Sequence, residues 1–379
     1  MTSQFRPTEP VRLYNLLLPS PDVSQVGTWP PEGDMPTLYH QQRTIEEAEA
    51  AGFHGMLAPT AYSNFVDNWV QITMLLARTH RIEMLGAIRP NQVHPAQFAK
   101  QCASILQLVG CRLSLNVVLG GWDVDDRIIG AVETAEQRLA RAEEWLTILC
   151  ETWESSGIAQ DYSHKGDFYD IEGLRIYPAL EKRPEIFLSG MSDEAIRLSG
   201  MFADTHVLWA ERPEDTRRTI ERVWGGSAAH GRRVRIALRM HVIVRETEEE
   251  AWRAAEHIAA RIDPQVAETR AAQIRSQGSN SRRGQLTLAQ DETRIGRHLW
   301  TGTGTARFGA SVSVVGDAEQ VTEQLMEFRR MGVDDLILSG YPKEREARRF
   351  GQLVTQRLMD ADLEFRRQHR LQGRSRQDR

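Results

Sequence analysis

The stretch ALRMHVIVRETEEEA, Ala237–Ala251, reads as a β-strand that passes into a helix. Its strand belongs to the longer run Val234–Val244 (VRIALRMHVIV), in which every even-numbered residue is large and apolar. Successive side chains of a strand point to opposite faces of the sheet. One face of this strand therefore suits packing against helices, and the other carries Arg239 and His241.

Similar apolar runs alternate with longer amphipathic stretches along the chain. The eight predicted strands are Arg12–Leu18, Phe53–Ala58, Ile82–Ile88, Arg112–Val118, Glu185–Leu188, His206–Trp209, Val234–Val244 and Asp335–Leu338. The predicted helices between them include Leu38–Ala51, Pro95–Val109, Thr134–Trp153, Asp193–Phe202, Pro213–Ala229 and Asp317–Met331. This alternation indicates an α/β fold with parallel strands and right-handed crossovers. Eight units favour a single closed (β/α)8 TIM barrel with insertions over a doubly wound open sheet.

Two segments interrupt this alternation. His164–Leu180 has the pattern of a small strand pair inserted before the fifth strand. After the seventh strand, the polar stretch Arg275–Glu292 predicts a mobile loop over about residues 275–312. The expected organisation is one barrel domain over residues 1–365, followed by a basic, solvated or frayed tail over residues 366–379.

The composition is that of an ordinary soluble protein. The 379 residues carry a formal net charge of -5, with 41% hydrophobic and 26% charged residues. This mild acidity gives no support for binding to nucleic acid or to an anionic membrane. Three cysteines without a CxxC pair, and a first segment without an apolar signal-peptide core, lead us to expect a reducing cytoplasm.

The placement of Arg239 and His241 predicts a functional site. If the polar face of their strand points into the barrel, a guanidinium there is costly to bury unless it meets an anion or reaches solvent. Active sites of such barrels lie at the C-terminal ends of the strands. We therefore expect Arg239 and His241 to form an anion-binding and proton-handling pair, with an internal salt bridge or an exposed edge strand as the structural alternatives.

Other residues at strand ends are weaker candidates. Trp209 ends the sixth strand and would wall a ligand pocket, or would simply belong to the core. Asn116 is poorly suited to a buried strand without a partner, so a ligand contact is plausible, and Gly120 follows the same strand. The small residues Ser189, Gly190 and Ser192 precede a helix, where backbone N–H groups bind phosphate; a routine N-cap by Ser192 is the alternative.

The glycine-rich stretch Trp300–Asp317 has no dinucleotide-binding spacing. It reads as a flexible loop that carries Arg307, which either closes on an anion or is a surface charge. Tyr341 follows the eighth strand and would lie at the same end of the barrel. No HExxH or GxSxG motif is present, and no metal site is predicted.

Together these residues resemble the bacterial luciferase-like flavin monooxygenase superfamily, and within it the two-component alkanesulfonate monooxygenases. The segments that carry the resemblance are GFHGMLAPT, AIRPNQVHPAQFAKQCASI, LSLNVVLGG, LSGMSDEA, LRMHVIVRETEEEAW, HLWTGTGTARFGASVSVVGD and LSGYP. The resemblance implies reduced FMN supplied by a separate NAD(P)H-dependent flavin reductase, molecular oxygen, and release of sulfite and an aldehyde from an organosulfonate. It also implies a homodimer or homotetramer.

The resemblance also assigns roles to residues. Arg239, Arg307, His241, Tyr341 and Trp209 match the active-site positions of the family, with the two arginines holding anions. His241 would position the substrate or move a proton, Tyr341 would donate a hydrogen bond to oxygen, and Trp209 would wall the pocket. The flavin contacts implied by the matched motifs are Asn116, Gly120, Ser189, Gly190 and Ser192.

The chain departs from the family pattern at Pro19-Ser20, Asn64, Leu139 and Lys343. Asn64 and Lys343 would contact the substrate, and with Tyr62 they suit a hydroxylated sulfonate such as sulfoquinovose. Three readings therefore stay open beside the sulfonate enzyme: a related monooxygenase that acts on a sulfone, an amine or a ring amide; a non-catalytic flavin- or anion-binding barrel; and a hydrolase.

Overall fold

A computed structural model describes residues 9–17, 20–23, 26–27, 33–120, 123–131, 133–177, 179–277, 279–307 and 309–377 of the chain. Its strands, in chain order, are β1 (Arg12–Leu16), β2 (Asp22–Val23), β3 (Gly33–Asp34), β4 (Gly55–Ala58), β5 (Glu83–Ile88), β6 (Leu113–Val118), β7 (Tyr162–Lys165), β8 (Asp170–Leu174), β9 (Ile186–Ser189), β10 (Thr205–Trp209), β11 (Arg235–Val244), β12 (Leu299–Trp300), β13 (Ser313–Gly316) and β14 (Asp335–Ser339).

The main sheet has the order β10-β9-β6-β5-β4-β1-β14-β11-β13-β12, and β10 also pairs with β11. The eight strands predicted from the sequence are β1, β4, β5, β6, β9, β10, β11 and β14. The register is parallel where β5 meets β6, β6 meets β9, and β14 meets both β1 and β11. The predicted fold class is confirmed: the chain forms a (β/α)8 barrel.

The helices are α1 (Leu38–Ala50), α2 (Asn68–Leu76), α3 (Pro95–Val109), α4 (Asp123–Ile128), α5 (Ala135–Gly157), α6 (Asp193–Phe202), α7 (Pro213–Ala228), α8 (Glu248–Ala260), α9 (Pro264–Gln277), α10 (Asn280–Asp291), α11 (Ala318–Met331), α12 (Lys343–Phe350) and α13 (Gln356–Gln377). Side-chain caps explain several of the starts. Thr134 and Asp317 form capping boxes before α5 and α11, with Gln137 and Gln320 as the reciprocal partners. In the described part of the chain, no helix combines the length and the apolarity needed to cross a bilayer.

The sequence-based expectation of a loop over Arg275–Glu292 is wrong. This segment forms the end of α9 and all of α10, and Ser279 caps α10 by accepting a hydrogen bond from the backbone N–H of Arg282. Its helical pattern is hidden because few of its positions are apolar, although Leu286 is buried. Whether the segment moves stays a prediction.

A further expectation about irregular structure is corrected. Trp300–Asp317 is not a continuous loop, because it contains the end of β12, a short 3-10 turn at Gly304–Ala306 and strand β13. The tail that begins at residue 366 is helical as far as Gln377, as the end of α13, and its solvation stays a prediction. The predicted strand pair is confirmed as the antiparallel strands β7 and β8.

The chain divides into two compact units. The first comprises Met1–Met56, Val207–Arg222 and Arg235–Arg379. At one end of its strands, the fully buried Asp335 accepts hydrogen bonds from the guanidiniums of Arg12 at 2.9 Å and Arg235 at 2.7 Å. These ion pairs cross-link β1, β14 and β11 where charge would otherwise be unpaired.

The second unit comprises Leu57–His206 and Val223–Val234. Aromatic side chains form part of its core: the ring of Phe98 lies 4.8 Å from Trp69 and 5.3 Å from Trp145 between ring centroids. The indole N–H of Trp145 donates to the carbonyl of Val93 at 2.8 Å, so the polar edge of this buried ring is satisfied.

Candidate active site

Strand β11 places Arg239 and His241 on the same face, two residues apart, as the alternation in the sequence predicts. Both side chains are buried, with relative exposures of 5% and 1%. The parallel register sets Arg239 beside Ile337 and His241 beside Ser339 of β14. Arg239, His241 and Ser339 therefore form a polar cluster in the first unit, at the end of β14.

Arg239 is a buried cation without a carboxylate partner among the described residues. Its guanidinium donates to Ser339 Oγ at 2.7 Å, to the carbonyl of Ile337 at 3.3 Å and to that of Met240. Burial lowers the pKa of Arg239 to about 9. Within the described part of the chain, the structural alternative of an internal salt bridge therefore does not apply to this residue.

His241 is held by groups on both of its ring nitrogens. Nε2 lies 3.0 Å from the carbonyl of Ala310, which accepts only, so we assign the ring hydrogen to Nε2. Nδ1 then accepts from Ser339 Oγ at 3.0 Å. Burial, and next the charges of Arg239 and Arg307, lower the pKa of His241 well below its usual value. The imidazole is therefore neutral near pH 7.

Tyr341 and Arg307 complete this cluster. The phenol ring of Tyr341 lies 5.1 Å from the ring of His241, and its hydroxyl is 3.4 Å from His241 Nε2. Arg307 lies 5.1 Å from the Tyr341 ring centroid, and its buried Nε has no hydrogen-bond partner in the described part of the chain. Burial, followed by the charges of Arg239 and Arg270, lowers the pKa of Arg307 to about 9.

Lys343 begins helix α12 beside this cluster. Its Nζ lies 3.7 Å from Asp22 Oδ1, and its backbone N–H donates to the same oxygen at 2.8 Å. Burial lowers the pKa of Lys343 to about 8, against the opposing effect of Asp22 and with smaller contributions from Arg307 and Arg239. The predicted substrate contact is thus already engaged by a carboxylate.

Trp209 ends β10 and is half-buried. The next residue, Ala210, donates its backbone N–H to the carbonyl of Arg239 at 3.0 Å, so this strand end is fixed to the strand that carries the guanidinium. The carbonyl of Ala210 in turn accepts from Gln285 Nε2 at 3.0 Å.

The residues expected to contact flavin belong to the second unit. Asn116 in β6 is 8% exposed, and its Oδ1 is buried without a hydrogen-bond partner among the described residues. Ser189 ends the neighbouring strand β9 and pairs with Val118. Ser192 caps α6 by accepting from the backbone N–H of Ala195 at 3.2 Å, and Gly190 lies between the strand and this cap.

Two further expected contacts are placed in the second unit. Gly120 is exposed and lies two residues after the end of β6. Asn64 is half-buried and donates from Nδ2 to the carbonyl of Pro59 at 3.2 Å, while Tyr62 is 63% exposed.

Of the positions that depart from the family pattern, Pro19 lies outside the described residues, and Leu139 lies half-buried in α5.

Comparison with known proteins identifies the family. Residues 21–335 match the sequence profile described as luciferase-like monooxygenase. The chain belongs to the luciferase-like monooxygenase family. It is therefore a member of a superfamily of flavin-dependent monooxygenases, as its resemblance implied, whereas a particular closeness to the alkanesulfonate enzymes is not shown.

Solved structures with the same fold act on different substrates. The EDTA monooxygenase EmoA from Chelativorans sp. BNC1 superposes with a TM-score of 0.74 at 18% identity, over 94% of both chains. The long-chain alkane monooxygenase LadA gives 0.77 at 15% identity, over 93% of this chain and 92% of its own. An F420-dependent secondary alcohol dehydrogenase gives 0.67 at 16% identity, over 91% and 98%. At these identities the likeness concerns the fold alone.

The sequence analysis missed residues that hold this luciferase-like site in place. Ser339 connects Arg239 to His241, and Gln285 fixes Ser311 next to the Ala310 carbonyl that His241 contacts. Ser339 follows directly on the eighth predicted strand, so its position at a strand end was a usable signal. Gln285 gave none, because its segment had the composition of a loop.

Proposed function

We propose that this luciferase-like protein is a reduced-FMN- and oxygen-dependent monooxygenase that cleaves the C–S bond of an organosulfonate and releases sulfite and an aldehyde. The observation that carries the proposal is the pair Arg239 and Arg307: Arg239 is buried and Arg307 is half-buried with a buried Nε, and neither guanidinium has a carboxylate partner in the described part of the chain. Burial of an unpaired guanidinium costs several kcal/mol, which an anionic substrate offsets on binding.

The residues around the guanidiniums fit a substrate group with three hydrogen-bond-accepting oxygens. A sulfonate accepts several hydrogen bonds at once, and Arg239 and Arg307 are planar donors suited to it. The hydroxyl of Tyr341 adds a donor without adding charge, whereas the single N–H of the neutral His241 already donates to the carbonyl of Ala310. The lowered pKa of His241 favours a positioning role over proton transfer, because a group that stays neutral far below pH 7 is a weak base.

The second unit fits a flavin at Asn116. A buried amide oxygen without a donor costs about 1–3 kcal/mol unless a ligand N–H satisfies it. The N-terminus of α6, with Ser189, Gly190 and Ser192 before it, is suited to the phosphate. When bound, reduced FMN supplies the electrons that activate oxygen. We propose that an NAD(P)H-dependent flavin reductase delivers it, as the family resemblance implies.

The remaining proposals concern the cellular setting and the finer substrate. We propose a homodimer or homotetramer in the cytoplasm, consistent with the free thiols of Cys102, Cys111 and Cys150. A hydroxylated sulfonate such as sulfoquinovose remains the suggestion from Tyr62, Asn64 and Lys343, although Lys343 and Asn64 already have partners within the protein.

A polycarboxylate amine is the second candidate substrate. EDTA is the substrate named for EmoA, which has the same fold. Carboxylates are bound by unpaired guanidiniums as readily as sulfonates are. This reading keeps the same cofactor and the same anion site, and it differs from the first only in the product that is released.

The test is a panel assay with reduced FMN, oxygen, and sulfonates that include octanesulfonate and sulfoquinovose, with EDTA alongside. The proposal expects oxygen-dependent release of sulfite from at least one sulfonate. Sulfite from none, with EDTA-stimulated oxygen uptake, favours the second candidate. If none of the compounds releases sulfite or changes the rate of oxygen uptake, the result supports a non-catalytic binding protein. Turnover without oxygen supports a hydrolase.

A further inference from the structure

The charged groups around His241 in the first unit do not balance. Arg239 is buried, Arg307 and Lys343 are half-buried, and burial is the largest cause of the lowered pKa of each. Among the described residues, Asp22 is the one carboxylate that forms an ion pair with any of these three cations, at 3.7 Å from Lys343 Nζ.

The acidic residues of α12 are already paired elsewhere. Glu344 contacts Arg43 at 2.7 Å, and Glu346 contacts Arg245 at 3.0 Å and Arg349 at 2.6 Å. Although these glutamates follow Lys343 closely in the sequence, their carboxylates serve other guanidiniums. They are therefore not counterions for the cluster at His241.

Asp22 is fixed on Lys343. Its carboxylate accepts the backbone N–H of Lys343 at 2.8 Å and that of Glu344 at 3.3 Å, so it is held at the start of α12. It therefore offsets the charge of Lys343. Of the cations that contact this cluster directly, Arg239 and Arg307 are left without an internal counterion in the described part of the chain; the neighbouring Arg270 donates to the carbonyl of Ala306.

We propose that the substrate is an organic dianion, a sulfonate that carries a second anionic group such as a carboxylate, and that Arg239 and Arg307 together match its two charges. This inference rests on the proposed function for the identity of the first anion. A substrate with one charge would leave one guanidinium uncompensated, and a substrate with two leaves none. Simple alkanesulfonates and sulfoquinovose each carry one charge, so this inference ranks both of them, including the sulfoquinovose suggested above, below a dianionic sulfonate.

The test compares two sulfonates of nearly equal shape, 3-sulfopropanoate with two charges and 3-sulfopropanamide with one. The full-length protein is assayed for sulfite with reduced FMN and oxygen, and binding of each compound is measured separately by titration calorimetry. We expect kcat/KM for the dianion to exceed that for the amide by about 100-fold, and affinity to follow the same order. In Arg307→Met, kcat/KM for the dianion should exceed that for the amide by no more than about tenfold. Arg253→Met, a change at an exposed position of α8, should leave the ratio unchanged.

Each outcome decides one of the two proposals. Equal or better turnover of the amide overturns the dianion inference and leaves the sulfonate function standing. Selective binding of the dianion without any sulfite release keeps the inference and overturns the function. If the kcat/KM ratio of dianion to amide persists in Arg307→Met, the inference is also overturned, because a residue other than Arg307 would then bind the second charge.

Discussion

At the scale of single residues, the decisive contrast is between buried arginines that are paired and buried arginines that are not. Arg329 is 1% exposed and bonds to Asp362 through Nε at 2.8 Å, which makes it part of the folded framework. Arg239 is as inaccessible but meets only neutral groups. The first therefore serves stability, and we propose that the second serves binding at a cost in stability.

Substitution separates these two roles. Arg329→Met leaves the Asp362 carboxylate buried with fewer partners, so we expect a loss of about 3–5 kcal/mol in the free energy of unfolding. Arg239→Met removes an uncompensated charge, so we expect unchanged or higher stability together with a loss of substrate-dependent activity of about 100-fold or more. Denaturant unfolding and sulfite assays on both variants measure this. Equal destabilisation by the two changes would contradict the account.

The neutral state of His241 has a consequence for stability at low pH. Its pKa in the folded state is lowered, so the unfolded chain binds this proton more readily, and the stabilising effect of the neutral ring is lost as pH falls below about 6.5. We expect the free energy of unfolding of the wild type to fall more steeply between about pH 7 and pH 5 than that of His241→Gln. His230→Gln, at an exposed turn, is the control. Parallel profiles for His241→Gln and the wild type would refute the assignment.

At the scale of secondary-structure elements, helix α10 is tied to two strand ends through Gln285. Its Oε1 accepts from the backbone N–H of Ser311 at 2.8 Å and from Ser311 Oγ at 2.7 Å, and its Nε2 donates to Ala210. Ser311 follows the residue whose carbonyl contacts His241, and Ala210 is bonded to the backbone of Arg239. Gln285 is therefore a positioning residue for both side chains.

Gln285→Leu should lower kcat by about tenfold, because an imprecise site loses transition-state contacts, while KM changes little. Gln285→Glu, which keeps the acceptor oxygens, should restore part of the loss. Gln273→Leu on the exposed side of α9 is the matched control. A loss in thermal stability without any change in kcat would show that the residue is structural only.

The extent to which the sequence predicts these elements follows from their physical pattern. All eight barrel strands are predicted because each is a compact apolar run, and β11 shows even its two faces. Helices α9 and α10 are missed because most of their residues are polar and exposed. Helix α10 is held in place by tertiary contacts such as those of Gln285, which no local pattern in the sequence indicates. The pairing of Lys343 with Asp22 is also invisible in the sequence, because 321 positions separate the two residues.

At the scale of the whole molecule, we propose that different residues bind the two molecules, Asn116 the flavin and Arg239 with Arg307 the organic anion. The two kinds of binding should therefore respond to different substitutions. Asn116→Leu removes the acceptor with no partner, so we expect reduced FMN to bind about tenfold more weakly while the affinity for an organic dianion is unchanged. Arg307→Met should weaken binding of the organic dianion and leave the affinity for reduced FMN unchanged. Anaerobic titrations of both variants measure this, and a change in both affinities in either variant would count against this division of roles.

The central claim is that Arg239 and Arg307 bind the anion whose C–S bond is broken. The most direct measurement is the amount of sulfite released per oxygen consumed, with reduced FMN and a turned-over sulfonate, in the wild type and in Arg239→Met. We predict release in proportion to oxygen uptake in the wild type, and oxygen uptake with almost no sulfite in the variant. Equal sulfite yields from the two proteins would contradict the claim.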